Sequence, residues 1–119
     1  MEEVAHTSEQ VQLFCRKRGE DEKTAAFVSL FVEEMAGNVV KHGFQGEKSR
    51  VVELRLIMRE DKRLIRLRDN GIEFDPVKWL QMNAPESQDQ SLGIRMVIGL
   101  AKQVDYIPSM GLNQIIVRL

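Results

Sequence analysis

The 119-residue chain has little from which to build a metal centre or a covalent staple: one cysteine, Cys15, and two histidines, His6 and His42. A lone cysteine forms no internal disulfide and points to a reducing compartment. Two histidines and one thiol make no zinc constellation. No apolar run approaches the roughly 20 residues that span a bilayer, and the opening Met-Glu-Glu-Val is unlike a secretory leader. Charge of one sign is also missing: 17 Lys and Arg stand against 18 Asp and Glu, a net charge of −1. That balance suggests neither nucleic acid nor a membrane as direct partner. Internal repeats and an interdomain linker are absent too. What is present, 43% hydrophobic and 29% charged residues, is the composition of one globular domain with a single core. These absences together point to a cytoplasmic domain spanning residues 1–119.

The order of elements follows from periodicity and punctuation. Thr7 or Ser8 can cap a first helix over 8–18 that Gly19 closes. Asp21 can cap a second helix running to His42, with Gly43 as its stop. Ala26, Ser29, Val32, Ala36, Gly37 and Val40 make that helix small or apolar on its far side as well, which places it between a sheet and the first helix. Residues 50–59 alternate, with Val52, Leu54, Leu56 and Met58 on one face. Residues 63–70 do the same with Ile65 and Leu67, and the Asp61-Lys62 link makes the two an antiparallel hairpin. The outward Arg55, Arg59, Arg66 and Arg68 read as the solvated face of a one-sided sheet. A polar stretch follows, and 75–91 is expected to be a lid with a short turn near Val77–Leu80. Gly93 is expected to open a helix to about Lys102, and 103–109 with 113–119 a closing hairpin around Met110-Gly111-Leu112. The fold class is α+β: a two-layer sandwich whose antiparallel-rich mixed sheet is covered on one face by about three helices.

Three places in this frame carry polar groups that need a reason. With about 100° per residue, Phe27, Leu30, Phe31, Met35 and Val39 form one apolar stripe, and Glu34 and Asn38 emerge through its middle. A carboxylate and an amide there are costly unless they serve a ligand or satisfy loop backbone; at i and i+4 they can serve one ligand together. Asp69 ends a strand in Arg68-Asp-Asn-Gly-Ile-Glu-Phe-Asp-Pro76, where Gly71 permits a tight turn, even one with φ > 0. An ionised Asp there only accepts, which suits an exocyclic amine. Ser91-Leu92-Gly93-Ile94 turns a polar loop into a helix, and free N–H groups at a helix start favour phosphate. Asp-Asn-Gly is also an ordinary turn sequence, and many helices begin after Ser and Gly; the weight lies in the three together.

In this order the three motifs resemble the GHKL ATP-binding fold, and in detail its anti-sigma factor serine/threonine kinase branch. Glu34-Met-Ala-Gly-Asn-Val-Val-Lys-His-Gly43 is similar to that branch's N box, Asp69-Asn-Gly-Ile-Glu-Phe-Asp-Pro76 to its first glycine box, and Leu92-Gly-Ile-Arg-Met-Val97 to its second. Val104-Asp-Tyr106 and Gly111–Leu119 resemble its last strands, so the likeness covers nearly everything from residue 8 onward. It implies ATP with Mg²⁺ as ligands, Asn38 holding the metal, and Glu34 as general base on an attacking hydroxyl or water. It implies Asp69 on the adenine amine with Gly71 leaving room for the ring, and Ser91, Leu92, Gly93 and Ile94 at the phosphates. Asn113 is implied at the adenine edge. The implied partners are a STAS-type anti-sigma factor antagonist, phosphorylated on Ser or Thr, and a sigma factor, with room for a homodimer. Other readings are a non-catalytic ATP-binding module and the ATPase domain of a two-component histidine kinase, although His6 and His42 are badly placed as phosphoacceptors.

Three departures from the family pattern stand out. Glu73 occupies the place of the second glycine in Asp-x-Gly-x-Gly, and Ser91 that of the first in Gly-x-Gly. The family's opening strand has no counterpart between Met1 and Thr7, which fits a domain cut from a larger protein or an edge supplied by a partner.

Overall fold

The computed structural model describes residues 2–40, 51–82 and 89–119, with Leu80 and residues 89–92 described in their backbone alone. Helix α1 spans Glu2–Lys17, starting earlier than the expected residue 8. Val4, Ser8, Val11 and Cys15 lie on one stripe and are all buried, while Glu2 and Glu3 in the first turn and Arg16 and Lys17 in the last suit the helix dipole. The hydroxyls read as caps lie inside the helix. Thr7 donates back to the Glu3 carbonyl at 2.8 Å. Ser8 reaches across to the second helix, 2.6 Å from the Ser29 hydroxyl and 3.0 Å from Glu33 Oε1, to which it donates. Gly19, at φ +78°, ends α1 as expected. The Gly19 and Glu20 N–H groups bond the Arg16 and Cys15 carbonyls, the paired closure that a left-handed glycine permits.

Helix α2 covers Glu22–Phe31, and Asp21 caps it by accepting from the Thr24 N–H at 2.8 Å. From Val32 to Ala36 the turns widen to π-helical, and helical turns continue to Val40. The expected end at His42 and Gly43 lies outside the described residues. The helix is sandwiched as anticipated: Phe27, Val28, Phe31, Val32, Met35 and Ala36 are all buried in the core.

Strands β1 (Val52–Met58) and β2 (Arg63–Asp69) pair antiparallel, with Leu54 opposite Leu67 and Leu56 opposite Ile65. Two helices follow, α3 (Pro76–Met82) and α4 (Asp89–Leu100), then strands β3 (Gln103–Tyr106) and β4 (Asn113–Arg118). The sheet order is β1-β2-β4-β3, antiparallel at every pairing. Among the described residues the parallel pairing expected of a mixed sheet does not arise, because β4 separates β2 from β3, which run in the same direction. Met110 (φ 54°) and Gly111 (φ 79°) form the two-residue hairpin turn between Ser109 and Leu112, a geometry with both central residues left-handed. On the outer face Arg66 and Arg68 both reach Glu53, at 3.0 and 2.6 Å, as befits a surface row of mixed charge.

Two boundaries differ from the sequence reading. The start of the expected lid is a helix: Pro76 takes the first helical position, and Asp75 caps it by accepting from Val77 and Lys78 at 3.0 and 3.1 Å. Helix α4 begins at Asp89 rather than Gly93, so Ser91 and Leu92 fall in its first turn. The middle of the lid, 83–88, lies outside the described residues. Among the described residues no helix is long and apolar enough to cross a membrane.

Candidate functional site

The register of the sheet brings the site together. In the β2–β4 pairing, Asp69 lies directly opposite Asn113, both at strand ends and both buried. Asn113 Nδ2 donates to Asp69 Oδ1 at 3.0 Å and to the Ile72 carbonyl at 2.8 Å. Its Oδ1 accepts from the Phe74 N–H at 3.0 Å and the Tyr106 hydroxyl at 2.6 Å. Two donors and two acceptor sites are thus all used. Asp69 Oδ1 also accepts the Gly71 N–H at 2.9 Å. Among the described residues both bonds to Asp69 fall on Oδ1, which leaves the second oxygen of this buried carboxylate for a donor in the adjoining cavity.

That cavity, about 250 Å³, lies between the sheet and the widened end of α2. Met35, Leu67, Phe74, Trp79, Ile94 and Ile115 contribute apolar wall, and Asn38, Asp69 and Asn113 polar atoms. Phe74 and Trp79 meet at a ring tilt of 58° with centroids 6.3 Å apart, closing one side. The volume is just under the roughly 300 Å³ at which drug-sized pockets begin, enough for a planar base with its appendages outside.

The structure therefore gathers Asn38, Asp69, Ile94 and Asn113 around one cavity. Gly71 joins them through its N–H rather than by lining the wall. Its backbone is not left-handed, because the Asp69 side chain closes the turn itself by bonding the N–H two residues on. The same holds for Glu73: no positive φ is required of it, so the backbone tolerates a side chain where the family pattern has glycine. Its neighbours Ile72 and Phe74 are both held by Asn113, through a carbonyl and an N–H respectively. Asn113 lines the cavity where the adenine edge is expected, and its amide is fully engaged within the protein.

Gly93 does not open the helix as expected. As the fifth residue of α4 it lies past the four free N–H groups of a helix start, so its own N–H is spent inside the helix. Its lack of a side chain matters for another reason: a Cβ there would overlap the Glu34 carboxylate. Glu34 thus sits against the α4 backbone, half-buried, beside the cavity rather than in its lining. Ser91 and Leu92 lie in the first described turn of α4. The π-helical turns of Val32–Ala36 contain Glu34 and lead into Asn38, a widening that often marks functional positions.

Sequence reasoning missed Tyr106 and Trp79. Trp79 lay in a segment read as lid, and nothing in the order of residues says that Tyr106 reaches Asn113. Burial raises the Tyr106 pKa above its ordinary value, and the negative charges of Glu73, Asp75 and Asp69 raise it further. The hydroxyl therefore stays protonated and remains a donor.

A two-layer sandwich with a carboxylate-floored cavity between sheet and helices defines a small nucleotide-type binding domain. The family model of the histidine kinase-like ATPase domain matches residues 1–119, and the chain belongs to that family. It is an ATP-binding domain of the GHKL type. Among solved structures it is similar to the histidine kinase domain of the Erythrobacter litoralis EL346 blue-light activated histidine kinase, with TM-score 0.61 and 20% identity. That likeness covers 81% of this chain and 47% of the other, so the chain spans about half the length of that structure, and the resemblance speaks for the fold. No curated protein matches the chain.

The residues present fit the ligands that the family implies. An amine-bearing planar base suits the apolar walls and the open Asp69 oxygen. For Mg²⁺, no group of three His, Cys, Asp or Glu among the described residues could form a cage. Asn38 offers one hard oxygen at the cavity, which suits a cation carried mainly by phosphate oxygens and water.

Proposed function

We propose that this domain is a regulatory protein kinase of the anti-sigma type, acting in the cytoplasm. It binds ATP with Mg²⁺ and transfers the terminal phosphoryl group to a Ser or Thr of a STAS-type antagonist. When the antagonist is so modified, the same domain sequesters a sigma factor. The observation that carries this reading is the seat of Glu34: a carboxylate pressed onto glycine, one helical turn from Asn38 and beside the cavity floored by Asp69.

Each residue has a part that follows from its chemistry. Asp69 accepts from the base amine and fixes the purine. Asn38 offers its carbonyl oxygen to the metal, whose charge when bound offsets that of the phosphates. Glu34 accepts the proton of the attacking hydroxyl as its oxygen bonds to phosphorus and ADP leaves. The start of α4, where Ser91 lies, is a place for anionic oxygens.

A second reading is a non-catalytic module that uses nucleotide only as a conformational ligand. The helix-internal position of Gly93 favours it, since one expected phosphate donor is already engaged. Incubation with γ-labelled ATP and candidate STAS proteins separates the two. The kinase reading expects label on Ser or Thr of the partner and its loss with Glu34→Gln. Nucleotide binding without label on any partner would leave the binding module standing instead.

A further inference from the structure

The bonds around Asn113 admit one orientation of its amide. With oxygen and nitrogen exchanged, the NH₂ would face the Phe74 N–H and the Tyr106 hydroxyl, while the oxygen would face the Asp69 carboxylate and the Ile72 carbonyl. The Phe74 N–H would meet donors and be left unpaired in a buried site, and the Asp69 carboxylate would face an acceptor. The Phe74 N–H, which can only donate, excludes the exchanged orientation, and the Tyr106 hydroxyl, 2.6 Å from Oδ1, adds a second hydrogen bond that holds the oxygen where it is. Tyr106 comes from β3, whereas Asp69 ends β2; Asn113, at the head of β4, connects them.

We propose that Tyr106 and Asn113 are positioning residues for base selection. Tyr106 holds the Asn113 oxygen in place, the amide nitrogen occupies one oxygen of Asp69, and the other oxygen is thereby left to the cavity that Asp69 lines. Neither residue needs to touch the nucleotide. The pair makes the site prefer a purine with an amine at position 6 over one with a carbonyl there, because the latter presents an acceptor to an acceptor. This rests on the ATP-binding reading of the cavity and adds the source of its base specificity.

The test is titration calorimetry of the full chain with ATP and with ITP, both with Mg²⁺, comparing wild type with Tyr106→Phe. Wild type is expected to favour ATP. Tyr106→Phe is expected to shrink the ATP-to-ITP ratio by about fivefold, the loss of one net hydrogen bond's worth of orientation. A merely structural role would weaken both nucleotides alike and leave the ratio where it was; that result overturns the proposal. If Tyr106→Phe does not fold, Asn113→Asp decides, since it keeps the shape but sets oxygen against the Asp69 carboxylate. A preserved ratio there overturns the proposal, and a collapsed one supports it. Phosphoryl transfer is read separately on wild type: loss of transfer with the ratio intact sinks the kinase reading alone, and an unchanged ratio in the variants with transfer intact sinks this inference alone. Wild type that binds neither nucleotide removes both.

Discussion

At the Asp69 end of the cavity, side chains from three strands and the backbone of the loop between Asp69 and Phe74 are tied by hydrogen bonds that use both polar side-chain atoms of Asn113. At the Glu34 end, the polar side chains ride on widened helical turns and are placed by steric fit, with Glu34 seated where α4 has no Cβ. The first end is suited to reading a fixed base, the second to meeting groups that differ between substrate and transition state. Recognition gains from a rigid, saturated acceptor. Chemistry needs a carboxylate that is near the reacting atoms and still able to take a proton.

The largest effect should come from the Glu34 end. Glu34→Gln keeps the shape and removes the base, so transfer to a partner should drop by about 10² or more while calorimetry shows ATP still binding. Transfer that survives this change would make Glu34 a structural carboxylate and erase the contrast between the two ends.

Asp69→Asn should fail differently. It sets an amide donor against the Gly71 and Asn113 donors or against the base amine, so ATP affinity should fall by about tenfold or more. ATP with Mg²⁺ should raise the melting midpoint of wild type, because a ligand specific to the native state stabilises it, and this variant should lose the rise. An undiminished rise in Asp69→Asn would show that the base is read elsewhere.

Gly93→Ala tests the steric seat. A methyl group forced against Glu34 should cost about 1–3 kcal/mol of stability. In a double-mutant cycle, most of that cost should vanish when Glu34 is also Ala. Additive losses would place the glycine's importance in its backbone instead.

The smallest effect is at alkaline pH. The Tyr106 pKa is raised in the fold, by burial first and then by Glu73, Asp75 and Asp69, so the neutral phenol is favoured in the native state. That stability is fully present below the ordinary value of about 10 and is lost as pH rises through the elevated one. The melting midpoint should therefore fall more steeply between those two values in wild type than in Tyr106→Phe. Parallel profiles would show that the fold does not raise the Tyr106 pKa.

Much of this was legible in the order of residues, and the reasons are local. Asp21 as a cap, Gly19 as a stop, the alternation of β1 and β2 and the Met110-Gly111 turn all follow from one residue's preference or a period of two. The placement of Glu34 and Asn38 among buried apolar residues follows from helical period, which also marks them as a site. Boundaries at α1 and α4 were displaced because a hydroxyl or a glycine looks like a terminus when its partner on another element is unknown. Ser8 is held by Ser29 and Glu33, and Gly93 is required by Glu34.

The chain by itself determined the elements, the three motifs and the family they resemble, since period, capping and spacing act within about a dozen residues. Only the tertiary structure decided what those motifs do for one another. The pairing of β2 with β4 sets Asp69 against Asn113 across 44 positions of sequence, and the pairing of β3 with β4 brings Tyr106 to the same amide. Hydrogen bonds of that range depend on strand register, and register is set by the shared core rather than by any of the residues that use it.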